Sequence, residues 1–151
     1  MRHQKMVMRT AWRMLGRLED AQDASQEVFL RAHRNLGQVS STTETAWVYR
    51  VTLNVCYDVL RRRRPESGEM PELPSDPDQW DAIHREQRKQ ALQRALMKLP
   101  EKQRAAVILR EIEGLDTAEV AAILGSTEVT VRSQISTARA KLREWLEAVR
   151  T

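Results

Sequence analysis

Apolar residues recur at steps of three and four along most of the chain, which is the spacing of one face of an α-helix. Glycine and proline are sparse, with five of each, and no long segment alternates as a half-buried strand does. We therefore expect an all-α protein. The predicted helices cover residues 5–16, 19–36, 45–63 and 81–98, followed by a helix that starts at Pro100 and ends at Gly114.

The residues after Gly114 predict two further helices joined by a tight turn. The carboxylate of Asp116 can accept a hydrogen bond from the amide of Glu119, and Glu119 can reach back to start a helix. Gly125 suits the left-handed position that ends a helix, and Ser126 can cap the next one. This arrangement is typical of a helix-turn-helix, although a plain two-helix hairpin within a bundle gives the same pattern.

The second of these helices has two contrasting faces. The face that we expect to be buried consists of apolar residues at helical spacing, namely Val131, Ile135, Ala138, Leu142 and Trp145. The opposite face carries short or forked hydrogen-bonding side chains, namely Arg132, Ser133, Ser136 and Thr137. Such side chains suit base edges and phosphates in a major groove, so the pattern favours a DNA-binding protein.

Charge divides the chain into three segments. The net charge is +4, made up of +6 over residues 1–64, −6 over residues 65–83 and +4 over residues 84–151. The acidic segment also holds four prolines, which favours an extended linker. We therefore predict one small helical domain over residues 1–64, a flexible acidic linker over residues 65–80 and a second domain over residues 81–151. The two basic domains suit a polyanionic partner.

The sequence offers no enzyme chemistry. The three histidines lie far apart, and no metal-ligand spacing, glycine-rich phosphate loop or nucleophile elbow is present. We therefore expect no catalytic residue, no bound metal and no cofactor. The one cysteine, Cys56, lies on an apolar helix and is predicted to be a buried thiol. No apolar run is long enough to insert in a membrane, and no signal-peptide core is present, so we expect a cytoplasmic protein.

Three groups of motifs resemble one family, the extracytoplasmic-function (ECF, group IV) sigma factors of bacterial RNA polymerase. Residues 19–32 resemble the core-binding helix of sigma region 2, and residues 47–63 resemble the promoter-reading helix that follows it. Residues 99–104, together with residues 113–126 and the helix after them, resemble sigma region 4. The resemblance implies a three-helix region 2, a four-helix region 4 and a non-enzymatic role in transcription initiation.

The resemblance also implies the partners of each region. In the family, region 2 docks on the clamp helices of the polymerase β′ subunit, and the matching residues here are Asp23, Gln26, Glu27 and Phe29. It further implies contact with the β flap, binding to promoter DNA and control by an anti-sigma factor. Only ten residues precede Ala11, where the family usually has more helix, so either the chain is a short form or its start is misassigned; a truncated first helix would make the first domain less stable.

The DNA-binding residues implied by the resemblance fall into two sets. The separated strand of the −10 element is matched with Trp47, Arg50, Asn54, Arg61 and Arg62. The −35 element is matched with Arg132, Ser133, Ser136, Thr137, Arg139 and Lys141. The aromatic rings of Trp47 and Tyr49 can either stack on an unpaired base or pack inward, and the polar loop over residues 37–44 is a candidate pocket for a flipped base.

Two other functions are compatible with parts of this pattern. A helix-turn-helix regulator that acts without polymerase would bind duplex DNA and would not need Asp23, Gln26 or Glu27. A sigma-like adaptor would bind a protein partner and would show no salt-dependent affinity for DNA.

Overall fold

The computed structural model describes residues 3–35, 44–63 and 80–150, with the side chains of 80–85 and 148–150 left aside. The predicted linker, apart from Trp80, and the candidate loop before residue 44 lie outside these residues. All the regular structure in the described ranges is helical, which confirms the predicted all-α class. The helices are α1 (Gln4–Leu15), α2 (Leu18–Arg34), α3 (Glu44–Arg62), α4 (Trp80–Lys98), α5 (Glu101–Val107), α6 (Thr117–Leu124) and α7 (Glu128–Arg150), with a π-helical turn over Ile108–Ile112.

The N-terminal unit is a bundle in which α1, α2 and α3 contact one another. Each helix buries one apolar stripe, so the three stripes form a common core. The buried residues include Val7, Ala11, Met14, Leu15, Ala21, Ala24, Val28, Val48, Leu53, Val55 and Cys56. For α3 the sequence spacing predicts a core stripe of Val48, Val51, Val55 and Val59. This prediction is wrong in part, because Val51 and Val59 are only half-buried, whereas Thr52 and Leu53 are buried.

The C-terminal unit is built around α7, which contacts α4, α5 and α6. Val131, Ile135, Ala138 and Leu142 are buried, as predicted, and Trp145 is half-buried against the same core. Helix α6 crosses α7 and buries Val120, Ala121 and Ile123, a face made of small and β-branched residues. This pair of helices has the predicted helix-turn-helix connection.

The ends of α6 and α7 show how the sequence sets this connection. The amide of Glu119 donates to Asp116 Oδ1 over 2.8 Å, as predicted, and this bond lowers the pKa of Asp116. Gly125 ends α6 with φ 64°, a left-handed conformation that favours glycine. Ser126 is not the cap of α7; the amide of Thr130 donates instead to Thr127 Oγ1 over 3.1 Å. Both residues are good caps, and the helix begins one residue later than predicted.

The segment between Pro100 and Gly114 differs from the single helix that the sequence predicts. Pro100 precedes the helix rather than opening it, with an extended ψ of 146°. The last turn is π-helical, and the amide of Glu113 donates to the carbonyl of Ile108 over 2.9 Å. The extra residue per turn rotates the end of the segment, which changes the direction of the Glu113 side chain relative to a regular α-helix.

The two units pack against each other, a feature that the sequence pattern does not predict. Helix α1 contacts α4, α5 and the π-helical turn, and α3 contacts α6. Gln93 is buried at this boundary, where its side-chain amide donates to the Trp12 carbonyl over 2.7 Å. Glu113 accepts two hydrogen bonds from Arg9, over 2.6 and 2.7 Å, and one from Tyr49 over 2.8 Å. Polar as well as apolar contacts therefore join the units.

Candidate protein and nucleic-acid interfaces

Helix α2 presents an acidic and amide-bearing face on the outside of the N-terminal unit. Asp23 and Gln26 are exposed, and Glu27 is partly exposed with its Oε1 3.0 Å from Arg31 Nε. Leu30 lies on the same face, because it follows Asp23 by seven residues, Gln26 by four and Glu27 by three. Its side chain is 53% exposed, so this face has an apolar centre with polar neighbours.

Phe29 lies elsewhere on α2. Its ring is half-buried and packs against the core of the N-terminal unit. Phe29 therefore helps to pack α2 onto the core. The exposed apolar side chain beside Asp23 and Gln26 is that of Leu30. Helical spacing alone places Leu30 on the same face as Asp23 and Gln26. Phe29 was predicted from the family motif, which does not take this spacing into account.

Helix α3 carries a polar face on which Arg50, Asn54, Arg61 and Arg62 are exposed. Trp47 is half-buried and packs against the core. Arg61 lies 3.4 Å from Asp58, an acidic residue on the same face. Arg50 Nη2 donates to the carbonyl of Ala122 in α6 over 2.8 Å, so the second unit touches this face.

Two residues near this face serve the fold. Tyr49 is buried, and its hydroxyl donates to Glu113 Oε1, so of the two orientations open for Tyr49 the structure shows the inward one. Burial and the Glu113 carboxylate raise the pKa of Tyr49 above its ordinary value, so the hydroxyl remains a donor. Arg63 donates to the Leu15 carbonyl over 3.0 Å and lies 2.5 Å from Asp20, so it ties the end of α3 to α1 and α2.

Helix α7 presents the face that the sequence predicts for DNA. Ser133, Ser136 and Thr137 are exposed, as is Arg132, whose Nη2 lies 3.6 Å from the carboxylate of Glu128. An exposed pair of this kind is weak, so Arg132 can exchange Glu128 for another acceptor at little cost. The side chains of these three hydroxyl residues are short, so the backbone of α7 can come close to the floor of a groove.

Arg139 and Lys141 make contacts within the C-terminal unit. Arg139 pairs with Glu111 of the π-helical turn, and Lys141 Nζ donates to Gln103 Oε1 over 3.3 Å. Arg139 nevertheless remains exposed, whereas Lys141 is half-buried. Both cations lie at the edges of the outer face of α7, where a phosphate backbone would pass if the helix entered a groove.

Cys56 is buried, and burial raises the pKa of its thiol to about 12, so the thiol is neutral and inert, as predicted. In the described part of the chain, no group of three or more His, Cys, Asp or Glu side chains is arranged to hold a metal ion. Among the same residues, no helix has the length and apolar character needed to cross a membrane.

Each of the two units matches a known protein-family model. The family model described as Sigma-70 region 2 matches residues 1–66, and the model described as Sigma-70, region 4 matches residues 89–142. The ECF RNA polymerase sigma factor SigM of Mycobacterium tuberculosis is 36% identical over 154 residues, covering 99% of this chain and 76% of SigM. This chain belongs to the ECF RNA polymerase sigma factors.

A second relative agrees with this assignment. The ECF sigma factor SigE of Mycolicibacterium smegmatis is 39% identical over 150 residues, which are 95% of this sigma factor and 58% of SigE. The chain thus spans less than two thirds of SigE and about three quarters of SigM.

Two solved structures share the fold of this sigma factor. CnrH, solved in complex with the cytosolic domain of CnrY, is 29% identical with a TM-score of 0.71, and the match covers 97% of this chain and 84% of CnrH. RpoE of Bartonella quintana, solved with the anti-sigma factor NepR, is 23% identical with a TM-score of 0.78 over 95% of this chain and 91% of RpoE. The RpoE comparison shows a common fold.

The family assignment divides the three faces between the two sigma regions. The faces of α2 and α3 belong to region 2, and the face of α7 belongs to region 4. The structure brings Arg50 of region 2 close to α6 of region 4, whereas the outer face of α2 remains exposed.

Proposed function

We propose that this chain is an alternative sigma factor that binds core RNA polymerase and directs it to particular promoters without chemistry of its own. The observation that carries the proposal is the exposed face of α2, where Asp23, Gln26 and Leu30 stand outside the fold's own contacts. Because these side chains do not contribute to the core, they are accessible to a partner. An apolar centre with an acidic and amide rim suits a basic helical coiled coil, the polymerase clamp.

Promoter recognition is divided between the two sigma regions. In region 2, α3 offers Arg50, Asn54, Arg61 and Arg62 to the phosphates and bases of the separated −10 strand, and the ring of Trp47 offers a stacking surface. The binding energy for that strand offsets the cost of unpairing, so no catalytic group is needed.

Region 4 binds the −35 element as duplex DNA. Helix α7 enters the major groove with the face that holds Arg132, Ser133, Ser136 and Thr137, while Arg139 and Lys141 meet phosphates at its edges. The same unit docks on the β flap of the polymerase, so the DNA contact and the enzyme contact come from one small domain.

The closed packing of the two units must open for both elements to be bound together. The −10 and −35 elements are about 25 base pairs apart, which is about 85 Å of duplex at about 3.4 Å per base pair. In the closed arrangement α3 and α6 are in contact, and Arg50 Nη2 donates to the Ala122 carbonyl. Polymerase binding therefore has to replace the contacts between the units with contacts of its own.

A protein that holds the units closed would keep the factor inactive. CnrH, which shares this fold, was solved with the cytosolic domain of CnrY, and RpoE was solved with the anti-sigma factor NepR. We assign an anti-sigma factor as the regulator of this chain as well. Its action belongs in the cytoplasm, where core polymerase and promoter DNA are found.

Core binding can be tested by a charge reversal on α2. Asp23→Arg reverses an exposed carboxylate in the docking face, so it should weaken binding of the full chain to core polymerase by more than about thirtyfold, or about 2 kcal/mol. Glu86→Arg makes the same charge change at an exposed site on α4 and should leave the affinity within about twofold. Fluorescence titration of labelled chain with core polymerase gives both affinities.

Two results would reassign the protein. If wild type does not bind core polymerase but binds duplex DNA with a steep salt dependence, it is a helix-turn-helix regulator. If it binds neither polymerase nor DNA but captures a protein partner, it is an adaptor. Circular dichroism of Asp23→Arg must match wild type, because loss of fold would also abolish binding.

A further inference from the structure

The side chains along the centre of the outward face of α7 are small, and some of them are apolar. Val129, Ser133, Ser136 and Ala140 follow one another at steps of four, three and four, and all four are exposed. They lie opposite the buried stripe that begins at Val131. In the described part of the chain, no hydrogen bond engages the hydroxyl of either serine. This centre line, here called the reading stripe, therefore takes no part in the packing of region 4.

Val129 is the residue of the reading stripe that the fold explains least. Its side chain is 71% exposed, more than Leu18 or Leu30, the other large apolar residues that stand out of the described surface. It is the second residue of α7, and the cap at Thr127 fixes where that helix begins. Burial cannot account for a branched apolar side chain held at the outer surface of the first turn.

The charges around the reading stripe indicate its occupant. Exposed Arg132 and Arg139, seven residues apart, lie along one edge, and half-buried Lys141 lies along the other, so the stripe from Val129 to Ala140 has cationic side chains on both sides. From Val129 to Ala140 the stripe is about 16 Å long at about 1.5 Å per residue, the length of about five base pairs. Basic borders around a narrow ridge fit a duplex, in which phosphates flank a groove floored by base edges.

The chemistry of the major groove then selects a base for Val129. The C5-methyl of thymine is the one apolar group on the major-groove edges of the four bases, and short apolar side chains contact it. Residues in the first turn of a recognition helix lie deepest among the base edges. We propose that Val129 contacts the C5-methyl of a thymine in the −35 element and makes the factor specific for thymine at that position. The inference rests on the −35 role proposed for α7.

Deoxyuridine provides the test, because it pairs as thymine does and lacks only the methyl group. Holoenzyme assembled from core polymerase and the full chain is titrated with a promoter duplex taken from its mapped start sites. Each thymine of the −35 element is replaced by deoxyuridine in turn. Wild type should bind one such duplex about fourfold more weakly, which corresponds to losing one methyl group from an apolar contact, or about 0.8 kcal/mol.

Variants at residue 129 show whether this sensitivity belongs to Val129. Val129→Ala should bind the thymine duplex about fourfold more weakly and lose its sensitivity to deoxyuridine at that one position. Val129→Thr keeps a branched side chain with one methyl and should retain part of the sensitivity. Ser136→Ala, two stripe positions further from the helix start, should keep the full sensitivity at the position assigned to Val129.

The outcomes separate this inference from the proposed function. If promoters are recognised but no thymine can be replaced with a loss of affinity, or if Val129→Ala keeps the sensitivity, the thymine contact is wrong and the sigma assignment stands. A Val129→Ala variant that binds and initiates normally on every duplex would likewise contradict the thymine contact. If no promoter is recognised at all, both proposals fail.

Discussion

At the scale of single residues, Arg104 shows how this small protein accommodates a buried charge. Its side chain is 7% exposed and donates to the carbonyls of Leu96, Met97, Leu99 and Met14. Three of these carbonyls belong to the last turns of α4 and α1, and the fourth belongs to Leu99, the residue after α4; carbonyls at a helix C-terminus lack the usual intrahelical donors. Burial lowers the pKa of Arg104, while the negative ends of two helix dipoles favour its charge.

The forked guanidinium is what this position requires, so Arg104→Lys should destabilise the protein. A Lys ammonium has three N–H donors in place of the five of a guanidinium, so the four carbonyls cannot all keep a donor. We expect the free energy of unfolding in urea to fall by about 2–4 kcal/mol. Arg110→Lys, at a half-exposed position, should cost less than about 0.5 kcal/mol. Equal and small losses for both variants would contradict this role of Arg104.

Residue types alone did not reveal Arg104 or Glu113, and the reason is physical. The sequence predicts that charged residues lie at the surface, which is correct for most of them. A buried charge becomes visible only when its partners are known, and those of Arg104 lie as far away as Met14. Cys56 was predicted correctly because an apolar helix around a thiol is a local signal.

At the scale of elements, most helices follow from local signals. The cap at Asp116, the left-handed Gly125 and the buried stripe from Val131 to Leu142 are all set within a few residues, and each was predicted. The π-helical turn over Ile108–Ile112 was missed, because the same apolar spacing suits an α-helix. For α3 the predicted stripe was rotated, since α3 packs against α1 and α2 on one side and α6 on another.

The candidate interfaces were predictable to different degrees. The outer face of α7 follows from its period, because exposed Ser133, Ser136 and Thr137 lie opposite the buried stripe. For residues predicted from a family motif, only the structure shows which side chains are exposed and which are packed. Phe29, which is packed, and Leu30, which is exposed, are the example. The binding roles of all these residues remain predictions until the partners are added.

At the scale of the whole molecule, Glu113 joins the two units. Its side chain is only 1% exposed and accepts hydrogen bonds from Arg9 in α1 and Tyr49 in α3, although Glu113 belongs to the C-terminal unit. The π-helical turn directs it toward the N-terminal unit. The Glu113 carboxylate raises the pKa of Arg9, so the guanidinium stays charged across the ordinary pH range. Glu113 is thus a buried acceptor that holds the closed arrangement together with the hydrogen bonds of Gln93 to Trp12 and of Arg104 to Met14.

Removing that charge should loosen the closed arrangement. Glu113→Gln keeps the shape of the side chain but weakens three hydrogen bonds, so the free energy of unfolding should fall by about 1–3 kcal/mol. Small-angle scattering should also show a larger radius of gyration. Glu111→Gln, two residues earlier in the same segment, removes an exposed partner of Arg139 and should cost less than about 1 kcal/mol. A Glu113→Gln variant as stable and compact as wild type would show that this contact does not hold the units together.

Promoter-directed initiation is the central claim, and mapping transcript 5′ ends tests it most directly. Core polymerase is incubated with fragmented genomic DNA of the source organism, with and without the purified chain. The account predicts new start sites that appear only with the chain and share sequence elements near −10 and −35. Start sites that are the same in both reactions would contradict it.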